Sequence, residues 1–164
     1  MSVHVTRLSM APVAPRCLHD LIATRAHCEE RLGWPVTLEV KSRRLVVTVG
    51  EMLDAVTMPT LLGQKVLAEL QITMLAGPVI AAAGGAWWTF LTAPAAVSRQ
   101  GIPAELRARK VHLTPDGAQV IIPNQIDSEA TPRWVVSPRP LPPWSAVIGA
   151  TRRVADQLAS ADCH

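Results

Sequence analysis

Two tryptophans side by side, Trp87-Trp88, sit in a stretch that carries no charged residue from position 70 to position 98. If that stretch is a strand, neighbouring side chains point to opposite faces, so one indole enters a core while the other can offer a stacking platform to a base. Such a stack is worth roughly 1–3 kcal/mol. The plainer alternative has both rings covered by helices, since tryptophan dominates cores by area alone. Charge to meet phosphates comes from Arg43-Arg44 and from Arg107, Arg109 and Lys110; clusters of that size also occur as solvated surface. Other chemistries find little support. Cys17, His19, His27 and Cys28 fall on one expected helix, where adjacent side chains diverge by about 100° and share an ion poorly. Cys163-His164 stands apart from them, and no C-x-x-C occurs. The chain has no G-x-S-x-G elbow, no P-loop and no G-x-G-x-x-G, so neither a serine hydrolase nor an ordinary nucleotide fold is indicated. No metal and no cofactor are expected.

The chain around these residues has 164 positions, 49% hydrophobic and 18% charged, which suits one folded domain and excludes disorder over most of its length. Three cysteines are too few for a disulfide framework. Lys and Arg number 16 against 13 Asp and Glu, a net charge of +3; the excess is spread thinly, so it permits a nucleic-acid partner without requiring one. The first residues lack a charged segment followed by an apolar one, and the expected compartment is the cytoplasm. The charge-free run is long enough to span a bilayer. It is interrupted by Gly77-Pro78, Gly84-Gly85 and Pro94, which lipid would leave with unsatisfied backbone groups, so no membrane partner is expected.

Along the chain, residues 16–32 predict an amphipathic helix stopped by Gly33 and Pro35. Val36, Leu38 and Val40 alternate with polar neighbours, and Leu45-Val46-Val47-Thr48-Val49 is β-branched; together they predict a hairpin. Pro59 opens a central helix with Leu61, Leu62, Val66, Leu67 and Leu70 expected on one side. Residues 78–82 and 87–91 predict two buried strands around Gly84-Gly85. A short helix over 103–109 leads to a second predicted hairpin, 111–113 with 118–122, about the turn Thr114-Pro115-Asp116-Gly117. Trp134-Val135-Val136 makes a further strand, and the proline-rich residues 138–143 open a last helix. The expected fold is α+β, with a mostly antiparallel sheet built from hairpins and N-terminal, central and C-terminal helices. Residues 1–15 are expected to form a flexible tail, 16–158 a single domain and 159–164 a C-terminal tail.

Three landmarks in order resemble the bifunctional DNA primase/polymerase (prim-pol) domains of the archaeo-eukaryotic primase superfamily. Gly33-Trp34-Pro35-Val36 follows the first helix. Gly84-Gly85-Ala86-Trp87-Trp88-Thr89-Phe90 is similar to that family's G-G-x-H-x-Y-F strand, with Trp87 at the histidine position. Asp116-Gly117-Ala118-Gln119-Val120-Ile121-Ile122-Pro123 is similar to its later G-x-Y-V-V-x-P-P segment. The resemblance implies a prim-pol-like scaffold whose active members hold divalent metal on an h-h-D-h-D strand. Here the β-branched strand 45–49 has no acid, and the nearby Glu39, Glu51 and Asp54 form no D-x-D pair. Two-metal nucleotidyl transfer needs converging carboxylates. The expectation is therefore a catalytically inactive domain that binds single-stranded nucleic acid or a nucleotide, or serves DNA replication as an accessory. Its expected contacts are Arg43, Arg44, Trp87, Trp88, Arg107, Arg109 and Lys110. The alternative is an interaction module on the same scaffold, pairing with a protein partner or with itself. A residual polymerase using Glu39, Glu51 or Asp54 is a third and weaker reading.

Overall fold

The computed structural model describes residues 18–95, 101–123 and 131–162. The expected tail 1–15, Cys17, Cys163 and His164 lie outside the described residues. Helix α1 (Leu18–His27) runs into a single π-helical turn, Cys28–Leu32. Gly33 ends it at φ 70, and the Gly33 N–H donates to Glu29 O; only a residue without Cβ adopts this left-handed cap cheaply. Strands β1 (Val36–Glu39) and β2 (Arg44–Thr48) form the expected antiparallel hairpin, Leu38 opposite Leu45. β3 (Asp54–Pro59) leads directly into α2 (Thr60–Ile72). β4 (Val79–Ala81) and β5 (Trp87–Thr92) make the hairpin about Gly84-Gly85. The remaining elements are α3 (Ala104–Arg107), β6 (His112–Leu113), β7 (Gln119–Ile122), β8 (Arg133–Val136) and α4 (Trp144–Asp162). The last helix continues through 159–162, residues expected to be tail.

The α+β, antiparallel character holds, but the strands divide into two sheets. One has the order β1-β2-β7 and the other β6-β3-β5-β4-β8. This corrects the second predicted hairpin. β6 and β7 flank the Thr114–Gly117 turn yet do not pair with each other; β6 pairs with β3 and β7 with β2. The turn is held by its surroundings, the Thr114 N–H donating to Ala55 O and the Gly117 N–H to Val49 O, both at 2.9 Å. A turn signal in sequence reports a change of direction, and here the chain changes sheet as well.

Strand β3 is absent from the sequence reading. Asp54 and Pro59 bound it, and Ala55 and Val56 are both fully buried, so the alternation that marks a half-exposed strand is confined to the last four residues. The five-stranded sheet is covered on one face and over part of the other. Val56, Met58, Val79, Ala81, Trp88 and Phe90 pack with α2, α3 and α4. Ala55, Ile80 and Leu91, on the opposite face, join Leu21 and Cys28 of the first helical segment and Val36, Leu45 and Val47 of the small sheet. The central position of β4 and β5 explains why their sequence carries no charge: an ionised side chain on either face would lose its hydration without recompense. No described helix is long and apolar enough to cross a membrane.

Candidate functional site

Pleating decides what each tryptophan does. Trp88 points with Phe90 toward the helices, is 7% exposed, and has its ring 6.5 Å from that of Phe90. Gly63 of α2 packs directly on it: a Cβ at that glycine would lie 3.0 Å from Trp88 Cε3. Trp88 is thus a core residue, which removes it from the expected stacking positions. Trp87 points the other way, with Thr89 and Leu91. The small sheet and the first helical segment cover only one end of this face, around Ala55, Ile80 and Leu91. Beyond it lie Thr57, Thr89 and Trp87, all partly exposed, and the exposed His112.

Register holds these four together. Thr57 stands opposite both Thr89 and His112, and Pro59 opposite Trp87. The Thr57 and Thr89 hydroxyls are hydrogen-bonded at 2.9 Å. The Trp87 and His112 rings meet edge to face, centroids 5.7 Å apart and planes at 60°. His112 is reached through the turn that carries Arg107, Arg109 and Lys110, in which Lys110 takes φ 67 and the Val111 N–H donates to Leu106 O. Arg107 and Lys110 are exposed, while Arg109 is half-buried with its guanidinium 3.9 Å from Asp162. Trp87 and this basic turn therefore belong to one end of the large sheet, joined by His112. His112 and Thr57 went unread as site residues because their proximity to Trp87 depends on β3, the strand with no sequence signal.

The other expected basic pair does not join them. Arg43 (φ 50) forms the β1–β2 turn in the small sheet, and Arg44 begins β2. The Arg44 guanidinium bonds the Glu39 carboxylate, which Ser42 also meets at 3.1 Å. These hydrogen bonds, Arg44 first, hold the Glu39 carboxyl below the usual range. Glu105 is lowered in the same sense by its own backbone N–H and then by Arg152.

Two of the three carboxylates named as alternative metal ligands have partners of their own. Glu39 is committed to Arg44. Asp54 is 1% exposed, shares the helix-covered face with Val56, and accepts the Ala95 N–H at 2.8 Å. Glu51 lies in the β2–β3 loop, on the wall of a cleft of about 450 Å³ with Thr48 and Asp116. Among the described residues no three His, Cys, Asp or Glu side chains gather as a metal site would require. A second cleft of about 480 Å³ is lined by His27, Cys28, Ile122 and Trp134; burial, and then the neighbouring Glu29, push the Cys28 thiol up. Neither cleft contains any of the expected contact residues. Comparison of the chain with protein-family models, curated proteins and solved structures found no match.

Proposed function

We propose that the chain is a catalytically inactive, prim-pol-like domain that binds single-stranded nucleic acid or a nucleotide at the Trp87 end of the large sheet. The observation that carries this reading is the partly exposed Trp87, in ring contact with the exposed His112, at the end of a turn bearing Arg107, Arg109 and Lys110. An aromatic surface beside positive charge meets the two requirements of single-strand binding, a π-face for a base and cations for the backbone. The ordered landmarks around Gly33, Gly84 and Gly117 support the same scaffold. Accessory service to replication fits a domain that binds without turning substrate over.

Salt-titrated binding to a short oligothymidylate tests it. Neutralising Arg107, Arg109 or Lys110 singly lowers the slope of log K against log salt by about 0.7 for each phosphate that side chain engages. Absence of salt-dependent binding near physiological ionic strength would retire the reading.

A second reading, an interaction module, draws on a different surface. Ile72, Met74 and Leu75, at and beyond the end of α2, are 79%, 89% and 41% exposed. Apolar side chains grouped on a surface mark contact sites for other proteins. A strictly monomeric species in light scattering would count against self-association through them.

A further inference from the structure

Trp87 follows a turn that is intrinsically soft. Gly84 and Gly85 take φ 86 and 76 with open space around both; glycines that supply such angles also leave the chain its greatest freedom. A platform attached to a loose turn binds weakly, because ordering it on association offsets part of the contact energy. Trp87 itself is the first residue of β5, in register with Pro59; the turn before it is held from the start of α2.

The first N–H groups of a helix have no partner inside it. At α2 the preceding Pro59 offers no side-chain cap. The Thr60 N–H donates instead to Ala86 O at 3.1 Å, and the Thr60 hydroxyl donates to Gly85 O. One residue thus grips two successive carbonyls of the turn, immediately before Trp87. Its neighbour Pro59 stands opposite Trp87 in the β3–β5 register. Within the turn, the Gly85 N–H donates to Ala82 O and the Ala82 N–H to Trp87 O. The restraint passes from Thr60 to Gly85 and Ala86, and from them to Trp87, whose ring rests against His112.

We infer that Thr60 is the positioning residue of the Trp87 platform, its hydroxyl holding the indole in the orientation that receives a base; this rests on the binding reading above. The hydroxyl is separable from the backbone bond, which survives any non-proline substitution.

The test compares the full chain with Thr60→Val, Thr60→Ser and Thr73→Val by indole and imidazole NMR and by oligothymidylate titration, the Trp87 signal being assigned with Trp87→Phe. Thr73 is a control at the other end of α2, its hydroxyl also donating to backbone carbonyls, but to those of the helix itself, Glu69 O and Leu70 O. Thr60→Val shifts the Trp87 indole and His112 signals, leaves those of Trp34 and Trp134 in place, and weakens oligonucleotide binding roughly three- to tenfold, the range one hydrogen bond supplies. Thr60→Ser restores both, and Thr73→Val changes neither. Unmoved Trp87 and His112 signals in Thr60→Val overturn the inference, as does a shift with unchanged affinity. If the unaltered chain binds no oligonucleotide, the function proposed above fails, while the indole and imidazole signals still decide whether Thr60 orients Trp87.

Discussion

The two faces of the five-stranded sheet are made by the same strands and have opposite fates. On the face toward α2 and α4, Met58, Trp88 and Phe90 form a closed apolar layer. On the other, the small sheet stops short, and Thr57, Thr89 and Trp87 keep part of their surface in water. Trp87 and Trp88 differ by one position and share a residue type, so position on the pleat alone separates a core residue from a candidate contact. The first turn of α2 serves both: Gly63 makes room for the Trp88 ring, and Thr60 holds the turn that precedes Trp87. Residues 60 and 63 are neighbours on the helix surface, so one side of one turn braces both faces.

The largest effect separating the faces is expected from truncation of the two indoles. Trp88→Ala removes a buried ring from a packed layer and costs about 3–5 kcal/mol, read as a lowered urea midpoint. Trp87→Ala costs about 1 kcal/mol, since only part of its surface is buried, yet weakens oligonucleotide binding roughly 5- to 150-fold, the worth of one base stack. Equal losses of stability would mean that both rings are core, and the contrast between the faces would disappear.

Next comes Gly63→Val, which tests the brace from the helix side. Its added carbons meet Trp88 Cε3 and Cβ, which would lie 3.0 and 3.2 Å from even a single methyl. Overpacking of this kind costs about 1–3 kcal/mol. The loss should appear in thermal denaturation with the Trp87 indole signal in place; a displaced Trp87 signal would show that the faces are mechanically coupled through α2.

How much of this was legible in the residues alone follows from the same contrast. The β1–β2 and β4–β5 hairpins, the stop at Gly33 and the helices around Leu62 and Val147 all announce themselves by local chemistry. Adjacent Trp87 and Trp88 were readable as pointing apart, but not which of them is buried, because that depends on where α2 and the small sheet end. β3 went unread because its first three residues, Asp54, Ala55 and Val56, are all buried, which leaves only Val56-Thr57-Met58-Pro59 to alternate, too short a run to show a period. With β3 unread, nothing could bring Thr57 and His112 to Trp87. Equally, nothing local could show that β6 and β7 part company after Gly117, since their partners are long-range.

The smallest effect concerns the two basic groups, which the sequence treats as equivalent and the fold separates. Lys110 and its neighbours adjoin His112, whereas Arg44 is engaged by Glu39 within its own hairpin. Arg44→Gln should leave oligonucleotide affinity and its salt slope unchanged, with its consequence confined to Glu39. The Glu39 carboxyl, held low chiefly by Arg44, rises toward the usual range and stops short of it because Ser42 still donates. The sign is that of a depressed acid: its favourable interaction is present above the unfolded carboxylate range and fades as pH falls through the lowered folded value. The variant therefore loses its share of that interaction at neutral pH and shows a shallower decline of stability in acid. A carboxyl-carbon NMR titration of Glu39 measures the shift directly. If the Glu39 midpoint is the same in both chains, the Arg44 guanidinium is not engaged by that carboxylate in solution. It would then be available to phosphate, and the small sheet would have to be counted as part of the binding surface.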